Sequence, residues 1–361
     1  MSNYGKKIEK TGKNLYNEND RKGEKMIKIA INGFGRIGRL VLREMIDDPE
    51  IEVVAINDLT DAEQLAYLLK YDTNHRNYKV DFISHNENEI VIGDKHIKVY
   101  AEKDPTLLPW KDLGIDVVME CTGKFTSQEK AMAHITAGAK KVIISAPAKG
   151  DVKTIVYNVN QNILDGTEQI ISAASCTTNC LAPVLRVLDY YFGIQRGYMT
   201  TVHAYTNDQA TLDVPHKKGI YARRGRAAAA NIIPASTGAA SAIGEVLPQL
   251  KGKMNGIAMR VPVPTGSVID LTLELNKNTT VEEINEAFKV NQNETLKFTM
   301  DPIVSSDIIG SHCGAMVDGL STSVLETENH QLVKVIAWYD NEMGYTSQMV
   351  RTAKYLMKIA K

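Results

Sequence analysis

Ile27-Lys28-Ile29-Ala30-Ile31-Asn32-Gly33-Phe34-Gly35-Arg36-Ile37-Gly38 reads as a short apolar strand that turns through glycines into a helix, Arg36 to Asp48, which stops before Pro49. Each glycine has a separate task. The first permits the tight turn, the second lets the backbone approach a pyrophosphate, and the third lets helix and strand pack closely. The amides at the helix start then face the phosphates. A second strand, Ile51 to Asn57, leads into Asp58, 20 residues past Gly38. A carboxylate there accepts hydrogen bonds from the ribose hydroxyls of NAD and repels the extra phosphate of NADP. The bland alternative, a glycine turn beside a solvated Asp, is disfavoured by the strand before the turn and the helix after it.

The alternation continues outward. Leu59 to Tyr71 reads as a helix, and Glu89 to Tyr100, Asp116 to Glu120, Lys141 to Ser145 and Gln169 to Ala173 as strands. Such alternation predicts an α/β fold with a mostly parallel, doubly wound sheet. After about residue 190 the pattern changes. Gly197 to Thr206, Gly256 to Leu275, Gly314 to Leu325 and Gln331 to Tyr339 are β-rich, with few helices between them. One helix is signalled at Thr280, which forms a capping box with Glu283. We expect a second, α+β domain on a largely antiparallel sheet. The last stretch, Asn341 to Lys361, reads as an amphipathic helix.

The chain has 361 residues and a formal net charge of −1, so no global electrostatic case exists for nucleic acid or an acidic membrane. No apolar run is long enough to span a bilayer. The first 25 residues differ: they carry a net +3 against −4 for the remainder, and they lack an apolar core of the secretory type. They read as a disordered basic extension, or as an upstream start before Met26. The four cysteines, Cys121, Cys176, Cys180 and Cys313, form no CxxC pair, and no His cluster has metal-ligand spacing, so no metal is expected. Sparse cysteine points to a reducing cytoplasm.

Ser172 to Cys180, SAASCTTNC, follows a strand and opens a helix that runs to about Tyr191 and is stopped by Gly193. Cys176 therefore stands at a helix N-terminus, where free amides stabilise a thiolate. A buried, inert cysteine is the competing reading, and it is the one adopted for Cys180. His203, on the strand Thr200 to Thr206, could pair with the Cys176 thiolate as general base and acid, or be a satisfied core histidine.

ASCTTNCLAP, HAYTNDQ, IPASTGAA and WYDNEMGY, together with INGFGRIGR, resemble the signature segments of the glyceraldehyde-3-phosphate dehydrogenase family, and the resemblance covers Met26 to Lys361. It implies a Rossmann NAD-binding domain (26–175 and 341–361), a catalytic domain (176–340) and a homotetramer, with NAD as cofactor and glyceraldehyde 3-phosphate and inorganic phosphate as substrates. The implied reaction, a step of glycolysis and gluconeogenesis, passes through a thiohemiacetal and a thioester on Cys176, with His203 as the activating base. Asn32, Gly33, Gly35, Arg36, Ile37, Asp58, Lys103, Thr122, Ser145 and Asn341 match the family's cofactor positions. Thr206 and Arg260 match its site for the substrate's phosphate. Ser175, Thr177, Thr237, Gly238 and Arg224 match its site for inorganic phosphate. Lys103 stands where many members have Arg, Gly225 replaces a frequent alanine, and Lys217 to Arg223 is longer than in many members. Erythrose-4-phosphate dehydrogenase activity is the nearest alternative. A second role in surface adhesion or RNA binding is the alternative from another class.

Overall fold

A computed structural model describes residues 26–217, 219–328 and 330–360, so the expected basic extension, residues 1–25, lies outside the described residues. The chain starts with β1 (Ile27–Asn32), α1 (Arg36–Met45), β2 (Ile51–Asn57) and α2 (Ala62–Lys70). It continues through β3 (Ile83–His85), β4 (Glu89–Ile92), β5 (Lys95–Tyr100), α3 (Trp110–Leu113), β6 (Val117–Glu120), α4 (Gln128–Thr136), β7 (Lys141–Ile144), β8 (Lys153–Thr154) and β9 (Ile170–Ser172). These strands form one sheet in the order β3-β4-β5-β2-β1-β6-β7-β9-β8. Pairing is parallel from β5 across to β8, while β3, β4 and β5 pair antiparallel. The expected single strand Glu89 to Tyr100 is thus a hairpin, broken where Gly93 takes a φ of +63°.

The sheet is covered on both faces, as parallel sheets require. Ile29 and Ile31 of β1 pack into one core with Val41 and Leu42 of α1, whereas Ala30 faces another with Val118, Val142 and Trp110. The chain winds outward from β1 to β2 and β5, then crosses back to β6 on the other side. That reversal leaves a crevice beyond the carboxyl ends of β1 and β6.

The remaining elements are α5 (Cys176–Phe192), β10 (Ile194–Ala204), β11 (Ile233–Ala235), α6 (Ala239–Val246), β12 (Met254–Val261), β13 (Ser267–Leu275), α7 (Val281–Val290), β14 (Leu296–Thr299), β15 (Ala315–Glu326), β16 (Gln331–Tyr339) and α8 (Met343–Ile359). The second sheet has the order β11-β12-β10-β13-β16-β15-β14. Most of its pairs are antiparallel, but β10–β12 and β14–β15 are parallel, so it is mixed. The capping box at Thr280 forms as its residues dictate. Helices α3, α4 and α6 are short, and their weak periodicity left them unread in the sequence. Although α8 follows the second sheet, it packs back on α1, and Met349 and Leu356 enter the first sheet's core. Its first turns are buried on all sides, so the amphipathic reading holds only for its end. Among the described residues no helix is long and apolar enough to cross a membrane, and none of the His, Cys, Asp and Glu side chains form a metal-holding cluster.

Candidate functional site

The glycine turn at the end of β1 has the shape that its residues imply. Gly33 has a φ of +91°, and a Cβ there would lie 2.7 Å from the Thr122 amide nitrogen. At Gly38 a Cβ would meet the Gly33 carbonyl at 2.1 Å. Beside Gly35, by contrast, there is open space for a ligand. Helix α1 has no side-chain cap and no acidic residue in its first turn, so the amides of Arg36 and Ile37 remain for an anion. Asp58 accepts a hydrogen bond from the Phe34 amide at 2.7 Å, which fixes its carboxylate beside the loop. An open, amide-lined cradle next to a fixed carboxylate fits the pyrophosphate and ribose of NAD.

Two expected cofactor side chains are engaged elsewhere. The Arg36 guanidinium donates to Glu342 at 2.6 and 2.8 Å and to Asp72, clasping α1 to the start of α8. These acids hold the guanidinium fully charged, and the clasp draws both carboxyls down to about 2 against the opposing effect of burial. Arg36 can therefore meet a cofactor through its backbone amide rather than its charge. Asn32 is buried, donates to Glu120 at 2.6 Å and accepts from Asn57 at 2.7 Å. Thr122 donates to Glu120 through its amide at 2.8 Å and also through its hydroxyl, Ser145 bonds Cys121, and Lys103 is exposed. The Asn341 amide oxygen accepts from the Ser267 hydroxyl at 2.8 Å and from the Gly266 amide at 3.2 Å, which fixes the orientation of its amide group.

Cys176 opens α5 directly after a strained turn in which Ala174 has a φ of +58°. Ser175 caps the helix by accepting from the Thr178 amide at 3.1 Å. Asn179 ties the turn down by donating to the carbonyls of Ala173 and Ser175. The Cys176 sulfur lies 3.4 Å from His203 Nε2. His203 Nδ1 lies 2.7 Å from the Ala204 carbonyl, which can only accept, and 3.0 Å from Arg260 Nη1, which donates to that same carbonyl at 2.8 Å; the shorter carbonyl contact assigns the proton to Nδ1 and leaves Nε2 facing the thiol as acceptor. Burial pushes the Cys176 thiol up, against the pull of Arg260, while burial and then Arg260 push His203 down to about 3. Both shifts act against an ion pair, and the contact leaves His203 placed to act as a base. Cys180 is fully buried and burial raises its thiol well above the ordinary value.

Register places Arg260 of β12 directly beside His203 of β10. Arg260 Nη1 donates to Thr206 at 3.0 Å, Thr206 donates to Asp208, and Arg224 pairs with the other oxygen of Asp208. Asp208 thus joins the two expected anion sites, a role the sequence reading missed although the residue lies within HAYTNDQ. Thr237 accepts from the Ala239 amide, and Gly238 starts α6 against open space. Thr177 is different: its hydroxyl is buried and lies 2.9 Å from that of Tyr339, which also meets Thr201 at 2.8 Å. Tyr339 was likewise missed, and it links the start of α5 to the strand carrying His203.

Family models described as "Glyceraldehyde 3-phosphate dehydrogenase, NAD binding domain" and "Glyceraldehyde 3-phosphate dehydrogenase, C-terminal domain" match residues 27–128 and 175–341. Proteins named glyceraldehyde-3-phosphate dehydrogenase from Clostridium pasteurianum and Clostridium acetobutylicum are each 60% identical over 336 residues, covering 93% of this chain and 100% of the relative. A protein of the same name from Streptococcus pyogenes is 54% identical over 337 residues, with the same coverage. With an NAD cradle, a cysteine and histidine in contact, and matches over both halves, the chain belongs to the glyceraldehyde-3-phosphate dehydrogenase family of NAD-dependent oxidoreductases.

Proposed function

We propose that this chain converts glyceraldehyde 3-phosphate, NAD and inorganic phosphate into 1,3-bisphosphoglycerate and NADH, with Cys176 as nucleophile and His203 as its base. The observation that carries this reading is the 3.4 Å contact between the Cys176 sulfur, at a helix N-terminus, and Nε2 of His203. His203 takes the thiol proton as sulfur attacks the aldehyde, giving a thiohemiacetal. The amides at the start of α5 and the new imidazolium stabilise the oxyanion. NAD, when bound, supplies the hydride acceptor. His203 returns its proton to the oxyanion to complete the thiohemiacetal and takes it back as the thioester forms; phosphate then attacks the thioester, and the Cys176 thiolate leaves as the acyl phosphate is released. Arg260 and Thr206 hold the substrate's phosphate, and Arg224, Thr237, Gly238 and the Ser175 segment hold the attacking one; guanidinium forks and hydroxyls suit both.

We assign the cofactor domain to 26–175 and 341–361 and the catalytic domain to 176–340, in a cytoplasmic homotetramer. Supporting assembly, the 207–232 region exposes Leu212, Val214, Ile220 and Tyr221, and a neighbouring subunit would cover them. The test is NADH formation with aldehyde, NAD and phosphate, each omitted in turn. Activity that persists without phosphate, or that prefers erythrose 4-phosphate, would overturn the assignment.

A further inference from the structure

The last residues of adjacent parallel strands in the first sheet are joined by their side chains. In register, Asn32 of β1 stands between Asn57 of β2 and Glu120 of β6, and Asn57 stands beside Tyr100 of β5. Beyond that backbone register, the Asn57 amide oxygen accepts from the Glu102 amide at 2.9 Å, and Asn57 Nδ2 donates to the Glu102 carbonyl at 2.9 Å and to Asn32 at 2.7 Å. Asn32 Nδ2 donates in turn to Glu120 Oε2 at 2.6 Å. Glu120 Oε1 accepts from the Thr122 amide at 2.8 Å and from the Thr122 hydroxyl. His134 closes the far end. Trp110 Nε1 lies 3.1 Å from His134 Nδ1, and an indole can only donate. His134 is therefore the neutral Nε2–H tautomer, and it donates to Glu120 Oε2 at 3.0 Å. Four donors satisfy a carboxylate that is 1% exposed.

Each member of this chain sits next to a cofactor position. Glu102 precedes Lys103, Asn57 precedes Asp58, Asn32 precedes Gly33, and Glu120 holds Thr122. We infer that Asn57, Asn32 and Glu120, anchored to the Glu102 backbone and locked by His134 and Trp110, form a buried rail that sets the spacing between the adenosine contacts and the pyrophosphate loop of NAD. The inference rests on the NAD reading of the glycine cradle. These side chains touch no cofactor; they act as positioning residues by fixing four strand ends that would otherwise be coupled only through backbone ladders. Apolar residues would fill the same volume but would set no such register.

Glu120→Gln is the sharpest cut. Asn57 holds Asn32, and Trp110 holds His134, as donors to Oε2. The new NH₂ must then face Thr122, whose backbone amide loses its acceptor beside Gly33. The free enzyme is titrated with NAD by calorimetry and with adenosine by NMR. In Glu120→Gln we expect NAD to bind about tenfold more weakly, the effect of one unsatisfied buried amide. Adenosine binding and the iodoacetamide rate of Cys176 should be unchanged. Wild-type affinity for NAD in Glu120→Gln would overturn the rail. So would equal losses for NAD and adenosine, which would mean general loosening of the domain. If Glu120→Gln does not fold, Trp110→Phe, which releases the His134 tautomer, is judged by the same titrations: selective loss of NAD affinity supports the rail, and wild-type affinity refutes it. Failure of the wild-type chain itself to bind NAD would instead refute the cofactor reading.

Discussion

At the residue scale, two thiols four positions apart have opposite prospects because their surroundings differ. Cys176 has a base within reach and opens a helix, whereas Cys180 faces the carbonyl of Ala337 in the core. Cys176→Ser is expected to abolish nearly all NADH formation while leaving NAD binding intact, since a serine hydroxyl is hardly ionised near neutral pH. Peptide mapping after iodoacetamide treatment should find the label on Cys176; inactivation with the label on Cys180 would refute the assignment. His203→Asn is expected to slow acylation by on the order of 10²–10⁴, the usual worth of a positioned base. It should also slow thiol alkylation near neutral pH and change its pH profile, because the base that takes the thiol proton is gone while burial and Arg260 still act on the thiol. An unchanged pH profile of alkylation would show that His203 is a structural residue.

At the scale of elements, the clasp of Arg36 to Asp72 and Glu342 holds the start of α1 against the start of α8 and the segment after α2. Both carboxyls lie at about 2 in the folded chain and near 4 when unfolded. A depressed acid stabilises fully above its unfolded value and ceases to as pH falls through its folded value. Arg36→Met should therefore cost roughly 2 kcal/mol near neutral pH by taking the guanidinium from two partly buried acids, which keep only their contacts with Asn74 and His75. The deficit should shrink as pH falls from about 4 toward 2. Thermal melts of both proteins across that range test this, and a pH-independent deficit would show that lost packing, not charge, is responsible.

At the scale of the whole molecule, the prediction concerns assembly. A chain beginning at Met26 starts one residue before β1 and corresponds in length to the 336 residues matched in full by the Clostridium relatives. We expect it to keep its specific activity and to scatter light as a tetramer; a dimer, or a large loss of rate, would give residues 1–25 a structural role. Much of the fold was legible in the residues themselves. The strand, glycine turn and helix at Ile27 to Met45, the helix that opens at Cys176 and the capping box at Thr280 all depend on neighbours a few positions away, and local backbone chemistry decides those. Resemblance then supplied roles for residues such as Arg224 that composition would have left as surface charge. Only the tertiary structure decided which partners each side chain takes. His203 lies 27 residues from Cys176, Arg260 lies 57 from His203, and Glu342 lies 306 from Arg36. Those meetings, the engagement of the Arg36 and Asn32 side chains with Glu342 and Glu120, and the push of the Cys176 thiol up and of His203 down follow from how sheets and helices pack. Packing sets distance and removes water, and no pattern along the chain encodes either.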